Sequence, residues 1–227
     1  YFFAYQKSDG YRDHAEADKF SLSGKWFYTP DDNSYRIGLI ARHYETEAQE
    51  PGYLSEEDAH QHPSMTNSYN ATDKGTRRMN QVSVHFDTDL AETLAWSAKT
   101  YVNTFDDRRW TQYWRTSSQQ ERDAYETRYG ALTSLTWRPQ VSWLYDFALE
   151  GGADMQQQQN KSERYRTKDR VRLAQTRDQQ FDFDTYGAYV QAEIKPFESL
   201  KIVPAYRVDK IQGDFTNLPL ASESIDT

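Results

Sequence analysis

Apolar and polar residues alternate with a period of two along much of the chain, which is the mark of strands with two unlike faces. Over 186–195, Tyr186, Ala188, Val190, Ala192 and Ile194 alternate with Gly187, Tyr189, Gln191, Glu193 and Lys195. After Pro196-Phe197-Glu198-Ser199 the pattern resumes, with Leu200, Ile202, Pro204, Tyr206 and Val208 set against Lys201, Val203, Ala205, Arg207 and Asp209. Val82, Val84 and Phe86 likewise oppose Gln81, Ser83, His85 and Asp87, and Phe20, Leu22, Gly24, Trp26 and Tyr28 oppose Ser21, Ser23, Lys25 and Phe27. Leu94, Trp96 and Ala98 continue the series against Ser97 and Lys99. The pattern predicts nine strands, near 1–7, 17–29, 34–47, 79–88, 92–105, 127–138, 141–152, 184–195 and 199–210.

The connections between these strands fall into two kinds. Pro30-Asp31-Asp32-Asn33, Asp89-Leu90-Ala91, Pro139-Gln140 and Pro196-Phe197-Glu198 are tight, whereas 8–16, 48–78, 106–126 and 153–183 are longer and polar, and the kinds alternate. The run Gln156–Gln159 is placed in the last of these loops. Short turns at one end and long loops at the other are the arrangement of a membrane β-barrel. Trp26, Tyr28, Tyr35, Phe86, Trp96, Trp137, Trp143 and Phe197 lie next to the tight turns, where an interfacial girdle of rings belongs. Lys25, Lys99, Glu193, Lys195, Lys201, Arg207 and Asp209 fall on the polar side of their strands. In a dry core each would cost several kcal/mol if unpaired; a water-filled lumen removes that cost. The predicted fold class is therefore all-β, an antiparallel transmembrane barrel wall. The competing reading is a soluble two-layer β-protein with one solvated face, or a binding module of that kind.

Composition narrows the choice further. The 227 residues carry 35 acids against 27 bases, a net charge of -8, the wrong sign for gripping phosphate backbones, and nucleic acid is not expected as a partner. Aromatic residues make up 15%, too many for a disordered chain. Without cysteine there is no disulfide framework, thiolate metal site or thiol nucleophile. No apolar run reaches the length of a spanning helix, and no signal peptide opens the chain. An even number of strands closes a bacterial single-chain barrel. Nine strands, and a chain that opens inside one at Tyr1-Phe2-Phe3-Ala4-Tyr5, make 1–227 read as a partial barrel domain.

Several stretches resemble the early barrel of TonB-dependent outer-membrane receptors. They are Ser8-Asp9-Gly10-Tyr11-Arg12-Asp13-His14, a strand ending Gly24-Lys25-Trp26-Phe27-Tyr28, and Glu50-Pro51-Gly52-Tyr53-Leu54-Ser55 followed by the acidic, helix-prone Glu56–His60 and Pro63. Tyr129-Gly130-Ala131-Leu132 and Leu149-Glu150-Gly151-Gly152-Ala153-Asp154 resemble further hairpins of the same receptors. The resemblance implies a 22-stranded barrel in the bacterial outer membrane. A plug domain, a TonB-coupling segment and the remaining strands are expected outside these residues. It also implies uptake of a scarce ligand, most of all a ferric siderophore, ferric citrate or a similar small chelate, driven through the TonB complex. Outer-membrane lipid and lipopolysaccharide would be its surroundings, and no cofactor is implied. A passive barrel, or an outer-membrane enzyme without a plug, is the alternative.

An anionic, oxygen-rich chelate is best held by guanidinium forks and aromatic faces. The richest run is Asp106 to Arg115, where Arg108, Arg109, Trp110, Tyr113 and Trp114 are candidate ligand contacts at the rim of a long loop. Its alternative role is an upper girdle, its arginines paired with Asp106 and Asp107 or with lipopolysaccharide phosphates. Tyr11 and Arg12 form a second candidate, with a glycine turn at Gly10 as the structural alternative. Arg77, beside Arg78 where the chain re-enters the barrel, is a third. His60 and His62 beside Glu56, Glu57 and Asp58 lack a third placed imidazole, so a charged loop tip is preferred to a metal site. No spacing joins Asp146, Asp182, Asp184 or His85 into a catalytic set, nor is there a GxSxG or HExxH motif, and no enzyme is expected.

Overall fold

The computed structural model describes residues 1–220; the last seven residues of the expected 1–227 barrel domain lie outside the described ones. The described residues form one antiparallel sheet with neighbours in the order β1-β2-β3-β4-β5-β6-β7-β8-β10, and the short β9 pairs with β8. The strands are β1 (Phe2–Ser8), β2 (Ala17–Tyr28), β3 (Tyr35–Gln49), β4 (Lys74–Ala91), β5 (Leu94–Thr111), β6 (Gln119–Trp137), β7 (Asp146–Lys168), β8 (Val171–Phe197), β9 (Leu200–Ile202) and β10 (Ala205–Asn217). The β3–β4 loop holds a short α-helix, α1 (Glu56–Gln61), and a single 3-10 turn at Ser68–Asn70; Ser55 caps α1 by accepting the Asp58 N–H. The sheet path ends at β1 and β10, which do not pair with each other.

Register sorts the side chains into two faces. Directly paired residues share a face, and the ladder Ile37↔Phe86↔Ala98↔Thr133↔Ala153↔Ala188↔Val208 runs across six strand pairs with no charge in it. On the opposite face the ladder His85↔Lys99↔Leu132↔Asp154↔Gly187↔Asp209 is mostly polar. No hydrophobic residue is buried among the described residues; apart from four glycines, the buried residues are polar: Asn70, Asp73, Ser83, Thr111, Gln119, Glu121 and Thr167. A soluble two-layer protein buries its apolar face, whereas this sheet presents it bare, with Trp26, Leu39, Val84, Val102, Leu135 and Val190 exposed. Rings near one end form a continuous series across four strands. Tyr28 lies 6.3 Å from Tyr35, Tyr35 stacks on Phe86 at 6.0 Å, and Phe86 lies 5.3 Å from Trp96. Four of the eight rings expected in the girdle, Tyr28, Tyr35, Phe86 and Trp96, thus form a physical chain of contacts.

Four expectations about boundaries need correction. The stretches 106–126 and 153–183 are not loops: β5 continues to Thr111, β6 starts at Gln119, and β7 and β8 run 23 and 27 residues, with only 169–170 between them. Gln156–Gln159 is therefore strand, paired with 182–185. Within this run β7 itself is polar on both sides, so no alternation of apolar with polar is left to betray it. In the other direction, Pro139-Gln140 is not a tight turn. β6 ends at Trp137, just before Pro139, which lacks an N–H for the ladder, and 138–145 forms a connection pinned by Leu144 N–H to Val141 O and Tyr145 N–H to Lys195 O. Trp143 belongs to that connection and is exposed. The strand expected at 199–210 is broken at Pro204, whose carbonyl accepts from Ala192 N–H and whose ring can donate nothing. Finally, β4 begins at Lys74, earlier than expected.

Candidate functional site

The face bearing Lys25, Lys99, Asp154 and Arg207 is the inner one if the bare apolar face meets lipid, and it is there that β5, β6, β7 and β8 project furthest beyond the ring series. A membrane strand needs about 9–11 residues, so strands of 18, 19, 23 and 27 residues carry a wet extension toward the 112–118 and 169–170 turns.

Within that extension the register gathers one row of guanidinium groups. Arg109 pairs with Arg122, Arg122 with Arg164, and Arg164 with Arg177, so four arginines stand side by side on the inner face of neighbouring strands. Strands lie about 4.8 Å apart, and like charges directly opposite each other are destabilising. Arg109 alone of the four has a carboxylate partner among the described residues: its Nε lies 2.7 Å and its Nη2 2.6 Å from Glu50. Arg122 rests on a ring instead, its Cζ 5.6 Å from the Tyr113 centroid, and its Nε is buried without a hydrogen bond. Arg164 lies beyond the apolar band, where partial burial and then the charges of Arg177 and Arg122 push its guanidinium below the usual value. Three half-buried cations, with no carboxylate paired to them among the described residues, have the chemistry that suits an anion.

Four residues further along the strands, away from the row, the same face is aromatic. Phe181 lies 4.8 Å from Phe215 and 6.4 Å from Phe183. Elsewhere on this face, across β3 to β6, a cavity of about 430 Å³ opens between Arg42, Tyr44, Met79, Asn103, Phe105 and Arg128. Arg42 there donates to Gln81 at 2.8 Å, and Arg128 is paired with Glu126 at 2.5 Å. Cations above and rings below are the two surfaces an anionic organic chelate can use.

The residues singled out in the sequence are divided by this geometry. Arg109 belongs to the row, and Tyr113 lies under it. Arg77 is also on the inner face, but its Nε is 2.8 Å from Asp107 and its guanidinium covers the Phe105 ring at 5.5 Å. Arg108 and Trp110 point the other way, because neighbours on a strand alternate. Arg108 reaches Asp123 at 2.9 Å and Glu121 at 3.5 Å, and Arg172 shares both carboxylates at 2.9 and 2.7 Å. This outward ion network, with Glu121 only 2% exposed, ties β5, β6 and β8 together. Tyr11 and Trp114 are exposed on turns. Arg12 is fully engaged, donating to the carbonyls of Gly52 at 2.6 Å, Pro51 at 3.0 Å and Met65 at 2.8 and 3.1 Å. It is a clamp between the 9–16 and 50–73 loops.

A buried polar hub completes the rim. Asp73, with no exposed surface, accepts from Gln112 N–H, Gln119 Nε2 and Asn70 Nδ2, each at 2.8 Å. His14 Nε2 lies 2.6 Å from the Asp73 carbonyl. His60 lies in the last turn of α1, and His62 caps the helix through its N–H to Asp58 O. The arginines missed in the sequence, Arg122, Arg164 and Arg177, are far apart along the chain, and only strand pairing across supposed loops could have joined them.

A one-sheet wall with one bare apolar face, one wet face and a ring series at the level of its turns defines a membrane-spanning β-barrel. The chain belongs to the TonB-dependent receptor-like β-barrel family, whose description matches residues 7–226. Among solved structures it resembles the ferric citrate transporter FecA in its unliganded form, with a TM-score of 0.79 and 15% identity over 91% of this chain and 31% of that one. It also resembles the closed form of the ferric-catecholate import receptor Fiu from E. coli K12, with a TM-score of 0.72 and 11% identity over 94% and 37%. The ferripyoverdine receptor of the Pseudomonas aeruginosa outer membrane gives 0.66 and 12% over 98% and 34%. The chain thus spans about a third of the length of these receptors. No functionally curated protein matches it in sequence.

Proposed function

We propose that this chain is part of the barrel wall of an outer-membrane receptor that takes up an anionic ferric chelate, of the siderophore or ferric-citrate kind, through the TonB complex. The single observation that carries the reading is the row Arg109, Arg122, Arg164 and Arg177 on the wet face, beyond the apolar band and above the Phe181–Phe215 pair. The family supplies the receptor role, and the solved relatives named for ferric citrate, ferric catecholate and ferripyoverdine support an iron chelate as cargo. A plug and a TonB-coupling segment belong to the parts of the receptor beyond this wall.

Of the sequence candidates, Arg109, Tyr113 and Arg77 are proposed as inner-face ligand contacts, with Tyr11 and Trp114 as exposed first contacts on the turns. Arg108 and Trp110 face outward, toward lipid and the lipopolysaccharide head groups, and Arg12 holds the loops.

The test uses the complete receptor in iron-starved cells and follows uptake of labelled iron supplied as citrate or as a catecholate complex. The reading expects import of at least one, and a fall of tenfold or more, about 1.4 kcal/mol, when Arg122, Arg164 and Arg177 are all replaced by Ala. Unchanged import in that variant contradicts it.

A further inference from the structure

The arginine row is not symmetrical. Among the described residues its first member alone carries an internal anion, and the chain makes room for that anion. Glu50 follows β3 and reaches across β4 at Gly75, which is the strand partner of Arg109. A side chain at 75 would begin 3.0 Å from Glu50 Oε1, so the absence of one leaves the carboxylate its path along the inner face. Glu50 then meets the guanidinium with both oxygens, Nε at 2.7 Å from each and Nη2 at 2.6 Å from Oε2. This is the geometry in which an arginine holds a ligand carboxylate.

The pair is not what keeps the loop in place. The backbone of 49–50 is fixed separately by Gln49 N–H to Glu16 O at 2.9 Å and Glu50 N–H to Asp73 O at 3.1 Å. The far end of the loop is fixed by the Asp73 hub, and its middle by Arg12. The Glu50 carboxylate is therefore free to leave Arg109 while the loop stays folded. A wholly uncompensated row of four cations would be costly in the empty protein, and one internal carboxylate lowers that cost at one end.

We propose that Glu50 is an internal counter-anion of the row, a stand-in carboxylate that a polyanionic ligand displaces from Arg109 on binding. The proposal rests on the reading of the row as an anion site. It makes affinity depend on the number of anionic groups: a ligand with one such group is met by Arg122, Arg164 and Arg177, and only a ligand long enough to reach the end of the row competes with Glu50.

Pyranine, a trisulfonated dye, serves as a metal-free polyanion whose binding to the complete receptor in detergent is read by fluorescence anisotropy. Arg164→Ala/Arg177→Ala is expected to weaken binding tenfold or more. Glu50→Gln is expected to tighten it about fivefold, the order for removing one partly screened negative charge beside the site. Gly75→Val, which crowds the carboxylate off Arg109 while leaving its charge, should also tighten binding, though less. If pyranine does not bind, or binds the double arginine variant as well as the parent, the row is not an anion site and the proposal falls with it. If the double variant loses binding while Glu50→Gln and Gly75→Val are unchanged or weaker, the row stands and Glu50 is only a structural tie.

Discussion

The two halves of β5 present different surfaces outside the sheet. From Trp96 to Val102 the outward residues are Trp96, Ala98, Thr100 and Val102, while from Thr104 to Trp110 they are Thr104, Asp106, Arg108 and Trp110. The inward residues change less, from Ser97, Lys99 and Tyr101 to Asp107 and Arg109. One side of the strand thus passes from an apolar surrounding to a wet one, while the other side is wet throughout. The lower half is held by its environment as much as by its neighbours. The upper half presents polar side chains outward and is held by cross-strand charge, through Arg108, Arg172, Glu121 and Asp123 outside and Glu50 with Arg109 inside.

A charge placed on the outward face separates the halves most sharply. Val84→Arg should destabilise the complete barrel in a bilayer by about 2–4 kcal/mol, the cost at the midplane, whereas Thr104→Arg should cost no more than about 1 kcal/mol near the interface. Urea unfolding of the reconstituted receptor reads both, and equal costs would erase the distinction. Next in size is Asp73→Ala, which strands the donors of Gln112, Gln119 and Asn70. It should cost about 1–3 kcal/mol, confined to the rim: amide exchange should rise in 112–118 while β2 and β3 keep their protection. A rise spread over the whole sheet would mean that the upper half supports the lower. Smaller again is Trp96→Ala, which removes the Phe86 contact and the Nε1 hydrogen bond to Thr133. About 1 kcal/mol beyond the loss of area is expected, with no change in ligand binding.

The same contrast explains what could be read from the sequence. Val82, Val84 and Phe86, or Tyr186, Ala188 and Val190, alternate with polar neighbours because their two faces meet different media. Strands in the lower half were therefore legible, as were the ring series at the turns and the helix at Glu56. Glu121, Asp123, Gln157 and Gln159 sit on an outward face that is as polar as the inward one, so the long extensions of β5 to β8 read as loops. That error hid the site: with 106–126 taken as a loop, Arg108 and Arg109 looked like partners, whereas a strand sends them to opposite faces. Arg122, Arg164 and Arg177 carry no local motif, and only the register of three hairpins brings them beside Arg109. Pro139 and Pro204 were visible as residues, but the first lengthens a connection taken as tight and the second divides a strand taken as continuous.

Because this chain has no cysteine, single cysteines can be placed along β5 and labelled with a nitroxide in the complete receptor, free of background from these residues. Collision with oxygen, which concentrates among lipid tails, is then compared with collision with a water-soluble nickel chelate at each position from 95 to 110. The account predicts that 96, 98, 100 and 102 favour oxygen and 97, 99, 101 and 103 favour the chelate, with the alternation vanishing from 104 upward. Oxygen and chelate reaching both sets alike between 96 and 103 would contradict a wall with lipid on one side and water on the other.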